Sequence, residues 1–433
     1  MKLRHSMHRR WPLAALLTAL LATAAGGARA EPLTIVCGAV PETLKLCNEG
    51  ATAWAKARGQ EVRILAYPSS TARSRALLGE LLAAGVPDLD VVEIDIVWPA
   101  ALAPDLIDLG PELGEPPQAF FASAMQSFTV DGHLVAVPWF LGVGQMFYRS
   151  DLLAKYGMAP PATWEELANA GRQVQESERA AGNAEIWGYL GQGRVGEGLT
   201  VNALEWLMSA GAPPLLAEDG TPMPDSPKAA TALGQAVSWI GTISPGAVLD
   251  MDGSDSVAAF LKGQAVFLRY WSNGKQLMER SVPELAGKIG SAPMPAGSGL
   301  DGRSAAVLGG FGLAVSRHSR QPKLAADLVR YLTSAEEQKR RALADGVDPS
   351  RPALYADPDL LAARPDYPAL RTALDQAIVR PAAAAHGTYE QLSRTFAEGV
   401  HRVLAREIEP AAGVAEIAAS LRRVLPGRPR SGS

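Results

Sequence analysis

The chain alternates between short apolar runs and longer stretches in which apolar residues recur every three or four positions. LTIVC at 33–37, EVRILAYP at 61–68 and LDVVEID at 89–95 are rich in β-branched residues without strict alternation, as strands are when both faces are covered. Between them, Leu44, Cys47, Ala51 and Trp54 fall on one helical stripe, and Leu77, Leu78, Leu81 and Leu82 form a second that Gly85 and Pro87 close. Strand, helix, strand, helix, strand predicts an open, mostly parallel α/β sheet, with a ligand crevice outside the strand carboxyl ends.

Farther on, a turn at Asp131-Gly132 leads into an extended apolar run, LVAVPWFLGVGQMFYR, long enough to cross from one domain to another, with Ser150 expected to cap the next helix. Thr163 followed by Glu166 predicts a capping box at the start of a long helix. SVAAFLKGQAVFLRYWSNG predicts a helix, a glycine turn and a strand ending in aromatics. APMPAGSGL, starting at residue 292, marks a boundary, SAAVLGGFGLAVS a strand interrupted by glycines, and the remainder is mainly helical.

The first thirty residues change the picture. A basic MKLRHSMHRRW, a short apolar LAALLTALLATAA and Ala28-Arg29-Ala30 predict a cleaved signal peptide over 1–30, hence a soluble protein exported to the periplasm. No cysteine follows Ala30, which argues against a lipid anchor. Taking the leader's five Lys and Arg from 41 leaves 36 against 45 Asp and Glu, a net charge near −9 that disfavours nucleic acid as a partner. About 400 mature residues exceed one hydrophobic core, so two domains are expected. In an oxidising compartment Cys37 and Cys47, the only cysteines, are expected to pair. Their bond would fix the loop 38–46 at a strand end, either to rigidify a binding loop or as a plain staple.

No HExxH, GxSxG or Walker A loop occurs, no GxGxxG is expected between a strand and a helix, and the four histidines beyond the leader have no partner at metal-ligand spacing, so neither metal nor cofactor is expected. A glycosidase built from two spatially adjacent carboxylates remains a rival. Aromatics instead gather beside turns: Trp98-Pro99, Trp139-Phe140, Tyr270-Trp271-Ser272-Asn273-Gly274 and Gly309-Gly310-Phe311. A sugar needs flat rings against its C–H faces and polar groups at its edges, and such tips supply both. Trp54, Trp164, Trp206 and Trp239 lie within helical patterns and are expected in the core. For Trp271 a core role competes with stacking. Asp95 either accepts hydroxyl hydrogen bonds or caps the short helix at Trp98-Pro99. Gly310 is either a bulge or a close backbone approach, and Arg73 and Arg75 reach a polar ligand or form a solvated helix face.

Taken together, CGAVPETLKLCNEGATAWAK, AYPSSTARSRALLGELLAAGVPDLDVVEIDIVWPAALAPDLIDL, VPWFLGVGQMFYRSDLLAKYG, FLRYWSNG, VLGGFGLAVS and SAEEQKRRALADGVDPSRPALYADPDLLA resemble the extracellular solute-binding proteins of ABC importers, of the trehalose/maltose type. The resemblance implies a two-lobed, type II-like α/β fold with discontinuous domains joined by a hinge and the ligand in the interlobe cleft. It implies one lobe from 31–138 plus 305–345, the other from 139–304 plus 346–425, and a tail at 426–433. It also implies a monomer that captures a disaccharide such as trehalose or maltose and delivers it to a membrane permease. A same-fold receptor for a polyol, polyamine or peptide is the alternative. Carried over residue by residue, Asp95 holds sugar hydroxyls, Trp271 and Phe311 stack on rings, Phe140 is a cleft aromatic, Asn273 and Gly310 are contacts, and Arg380 is a basic contact. Glu42 and Arg73 stand nearest the family's acidic and basic positions, while Gly142 replaces an aspartate expected two residues beyond the cleft aromatic.

Overall fold

The computed structural model describes residues 31–38, 41–68, 71–217, 220–223 and 225–425, without the side chains at 41, 42, 71 and 72. The leader 1–30 and the tail 426–433 lie outside the described residues. Strands form where the apolar runs predict them: β1 Leu33–Cys37, β2 Val62–Ala66 and β3 Val91–Asp95. There follow a hairpin of β4 Thr129–Val130 and β5 His133–Leu134, then β6 Val137–Arg149, β7 Trp187–Leu190, β8 Ala265–Trp271, β9 Ile289–Ala292, β10 Leu308–Val315 and β11 Asp348–Pro349. The hairpin turns on Asp131 and Gly132, both at positive φ, as a two-residue loop requires.

The main sheet runs β2-β1-β3-β10-β6-β8-β7, with β9 and β11 also on β6. β1 is parallel to β2 and β3, and β7 to β8, but β10 is antiparallel to both β3 and β6, and β8 and β9 run antiparallel to β6. The expected mostly parallel sheet is thus corrected to a mixed one. β10 returns from far along the chain and inserts beside β3 in the opposite direction. β2 is the edge strand, partly exposed, whereas β1 is wholly buried.

β6 is the strand that both halves of the fold share. Val137–Val143 pair with β10, whereas Gly144–Tyr148 pair with β8 and Met146–Arg149 with β9. Pairing continues to Arg149, which is extended and itself takes the N-cap position of the next helix. Ser150 is therefore the first helical residue rather than its cap. The Thr163–Glu166 capping box forms as its spacing predicts.

Helices cover both faces. The helix Pro41–Arg58 buries Cys47, Ala51 and Trp54 of the predicted stripe, with Leu44 partly buried and Leu46 buried in addition. Cys47 is disulfide-bonded to Cys37, with Cα atoms 6.5 Å apart and both residues without solvent exposure. In the second half Trp164, Trp206 and Tyr189 surround Trp239 with ring centroids 5.2 to 5.8 Å away, so the helical tryptophans are core as expected. Trp139 is also core, which corrects its placement among the cleft tips. It is fully buried under the guanidinium of Arg341, 4.7 Å from the ring, at the bulge where the pairing of β6 with β10 skips it between Pro138 and Phe140.

Candidate functional site

The site begins with a row across three strands. Phe311 on β10 stands opposite Asp95 on β3 and opposite Phe140 on β6, and directly opposed residues share one face of a sheet. The two phenyl rings stack with centroids 5.2 Å apart. Phe140 is buried and Phe311 partly exposed, so Phe311 presents the open ring and Phe140 backs it.

Gly309 lies two residues before Phe311 and on the same face, opposite Gly142. The indole of Trp271 occupies the space that a side chain at 309 would need, with ring atom Cζ3 2.7 Å from the Cβ position. Trp271 therefore lies on a floor of glycine, next to Phe311 and partly exposed. The Arg269 guanidinium sits 4.4 Å from its ring centroid and is clamped by Glu205, with Nη2 to Oε1 2.6 Å and neither side chain exposed. Trp271 ends its strand, Ser272 donates to the buried Asp348 at 2.6 Å and accepts from the Val143 N–H, and Asn273 opens the helix Gly274–Ser281. The Asn273 side chain makes no capping bond. Gly310 has φ of 145° and a Cβ there would come within 2.5 Å of the Phe140 carbonyl oxygen, so β10 needs glycine at this close backbone approach, while the bulge itself lies on β6. Its carbonyl accepts from Ile96 N–H.

The polar side of the site centres on Arg380, which is buried. Its Nη1 donates to Glu197 at 2.6 Å, its Nη2 to the Leu308 carbonyl at 3.2 Å, and Nη2 stands 3.8 Å from Asp95 Oδ1. Tyr389 and Ser393 also donate to Glu197, each at 2.6 Å. Arg380 is thus a bridge between two carboxylates more than a free cation. Burial pushes the Asp95 carboxyl up to about 6, against the pull of Arg380 and of the Val97 N–H. That N–H donates to Oδ1, so Asp95 both turns the chain toward the short helix Pro99–Leu102 and faces the cleft.

The remaining expectations divide. Arg73 is exposed, and it is Arg75, half-buried and with its guanidinium pushed down by burial, that lines the cavity beside Asp95. The Glu42 side chain lies outside the described residues. Glu197 and Tyr389 were not anticipated. The signal for Glu197 is GQGRVG at 191–196, a GxGxxG that, against expectation, does lie between β7 and the helix Glu197–Ser209, with Gly196 at φ of 151° directly before the acidic residue of the first turn. Tyr389 at the start of a distant helix carries no such mark. Among the described residues no group of three His, Cys, Asp or Glu is placed to hold a metal ion.

Residues 45–339 match the family described as bacterial extracellular solute-binding protein. A "Probable ABC transporter-binding protein" of Deinococcus radiodurans is 39% identical over 403 residues, 93% of this chain and 95% of its own. The maltose-bound MalE3 structure of T. maritima superposes with a TM-score of 0.82 at 33% identity, covering 91% of this chain and 100% of that one. The acarbose receptor GacH of Streptomyces glaucescens, at 20% identity, shares the fold with a TM-score of 0.78 over 91% of this chain and 98% of its own.

Proposed function

The chain belongs to the bacterial extracellular solute-binding proteins and is the substrate-binding component of an ABC transporter, not an enzyme; from that premise we propose that it captures an uncharged oligosaccharide, a disaccharide such as trehalose or maltose, in the periplasm after removal of a signal peptide. The observation that carries this reading is the row of Asp95, Phe311 and Phe140 beside Trp271 on one face of the sheet. Two exposed ring faces meet the apolar faces of a sugar, and Asp95, Glu197 and Asn273 meet its hydroxyls. The charges nearby cancel, three guanidiniums (Arg75, Arg380, Arg394) against three carboxylates (Asp95, Glu197, Glu390), which favours a neutral ligand.

In this reading the lobes divide at 31–138 plus 305–345 and 139–304 plus 346–425. Asp95 then belongs to one lobe and Glu197, Trp271 and Arg380 to the other. A ligand touching both is bound best when they close, and that difference in affinity drives closure. The monomer then presents the closed form to its permease.

Calorimetry of the mature protein against trehalose, maltose, sorbitol, spermidine and a dipeptide tests the reading. Selective heat with a disaccharide is expected, together with a rise in melting temperature. Trp271→Ala should weaken that binding by about 2 kcal/mol, roughly thirtyfold, as loss of a central aromatic does, with the fold retained. Binding of only a charged solute, or full affinity in Trp271→Ala, would overturn it.

A further inference from the structure

On the edge of β6 that faces away from β10, two strands follow one another. β8 pairs there as far as Trp271, opposite Gly144, and β11 takes over with Asp348, opposite Leu141. Val143 lies between, and Ser272 meets it: the Ser272 N–H donates to the Val143 carbonyl at 3.0 Å, and the Ser272 hydroxyl accepts from the Val143 N–H at 3.1 Å. The same hydroxyl donates to Asp348 Oδ2 at 2.6 Å, so a side chain of β11 closes the gap where the backbone ladder of β8 stops. We propose that Asp348 is a positioning residue for ligand binding, which holds the Ser272 hydroxyl and through it fixes Trp271 and Asn273 relative to Phe140 and Phe311. The inference rests on the reading above that Trp271 and Asn273 meet the ligand.

Location argues for this role. Ser272 stands between the ring and the amide assigned to the ligand, where strand gives way to the helix Gly274–Ser281. Asp348 reaches it from a rigid base. Its neighbour Pro349 is opposite Phe140, and beyond that the Ser350 N–H donates to Gln338 at 2.7 Å and the Ser350 hydroxyl to the Pro138 carbonyl at 2.8 Å. The carboxylate is therefore tied to the same stretch of β6 that carries the stacked phenyl rings, and Ser272 passes that register on to Trp271.

The choice of group argues for it as well. Asp348 has no solvent exposure, and burial pushes its carboxyl up to about 6. A buried carboxylate is costly unless its partners use the charge. Arg364 does not account for it, because its fork goes to Asp366 at 2.8 and 2.7 Å and it reaches Asp348 only with Nη1 at 3.4 Å. The short bond of Asp348 is the one to Ser272, where an ionised acceptor holds a hydroxyl more firmly than a neutral amide does.

The test labels the unliganded protein with 5-fluorotryptophan and follows the fluorine resonance of Trp271, identified by its absence from Trp271→Phe. Ser272→Ala and Asp348→Ala should each move or broaden that resonance, and the two together no further than either alone. Asp348→Asn, which still accepts a hydrogen bond, should restore most of it. The core residues Trp54 and Trp164 should keep their shifts throughout, which a general loosening of the fold would not allow. Titration calorimetry with maltose should show a loss of about tenfold in each single alanine variant and no more than about tenfold in the pair. A Trp271 resonance unchanged in both single variants overturns the proposal, as do losses that multiply in the pair or an equal disturbance of Trp54 and Trp164. If Asp348→Ala does not fold, Asp348→Asn stands in: its smaller shift of Trp271 must vanish in a Ser272→Ala background, and one that persists there overturns the proposal. Absence of heat from maltose with the wild type would remove the disaccharide reading, while the fluorine spectra still decide for or against Asp348.

Discussion

The Arg380 guanidinium stands 3.8 Å from the carboxylate of Asp95, joining a residue at the end of β3 to a segment near the far end of the chain. The same guanidinium holds Glu197 at 2.6 Å, so a single buried cation keeps two carboxylates in place at the mouth of the cleft.

Arg380→Met should therefore leave Glu197 and Asp95 facing each other without a counter-charge. Removing one partner of a buried ion pair costs about 3–5 kcal/mol, and urea unfolding should show a loss of that order. Arg380→Lys should recover only part of it, since an ammonium cannot reach Glu197, Asp95 and the Leu308 carbonyl as a fork. Unchanged stability in Arg380→Met would show that the bridge contributes nothing.

Burial pushes both Asp95 and Asp348 up to about 6 from an ordinary 3.8. Between those values the folded protein keeps protons that the unfolded chain has released. The resulting stability is complete below about 3.8 and is lost as pH rises through 6. Asp95→Asn removes one of the two groups, so stability relative to wild type should improve by on the order of 2–3 kcal/mol between pH 4 and pH 7. Sugar affinity in the wild type should run the other way and strengthen as Asp95 ionises. Denaturant unfolding at a series of pH values checks the first expectation, and a parallel profile for the two proteins would refute it.

Replacing Cys37 and Cys47 together by alanine opens a short loop beside the strand end. The chain-entropy account gives a loss of about 2.5–3 kcal/mol. If the bond is a staple, melting temperature should fall while ligand affinity, measured below the transition, stays within about threefold. A larger selective loss of affinity would show that the loop takes part in binding.

Two glycines on one strand should respond in opposite ways to the same methyl group. A Cβ at Gly144 would strike the buried Glu205 carboxylate and come within 2.8 Å of Arg269 Nη2, whereas one at Gly142 has nothing nearer than 3.8 Å. Gly144→Ala should lose about 3 kcal/mol or more by disturbing a buried ion pair, and Gly142→Ala should be within about 1 kcal/mol of wild type. Comparable melting temperatures for the two variants would contradict this packing.

Much of the architecture was legible because local pattern and burial agree. The runs at 33–37 and 89–95 became the strands Leu33–Cys37 and Val91–Asp95, and Cys47, Ala51 and Trp54 face inward as their spacing requires. What escaped was long-range. Nothing in GGFGLAV says that β10 will lie antiparallel between β3 and β6, since strand order is set by packing between distant segments. Trp139 and Phe140 read alike as tip aromatics, but Trp139 is the residue that the pairing of β6 with β10 skips, and its ring packs under Arg341 while Phe140 stacks on Phe311. Arg73 and Arg75 likewise cannot share a helix face, and their phase was fixed by the packing of Ser74, which is fully buried between them. The Glu197, Tyr389 and Ser393 cluster joins residues almost two hundred positions apart, which no short motif can announce.

One further consequence attaches to β6. Around Val143 its amides serve different masters: Val143 N–H bonds to the Ser272 hydroxyl, and Gly144 N–H to the Val307 carbonyl. A rotation of one half against the other would concentrate its torsion on this short stretch and leave the ladders on either side intact. Hydrogen–deuterium exchange confined to a few peptide units there, and slowed when sugar is added, would be the physical trace of the molecule shutting.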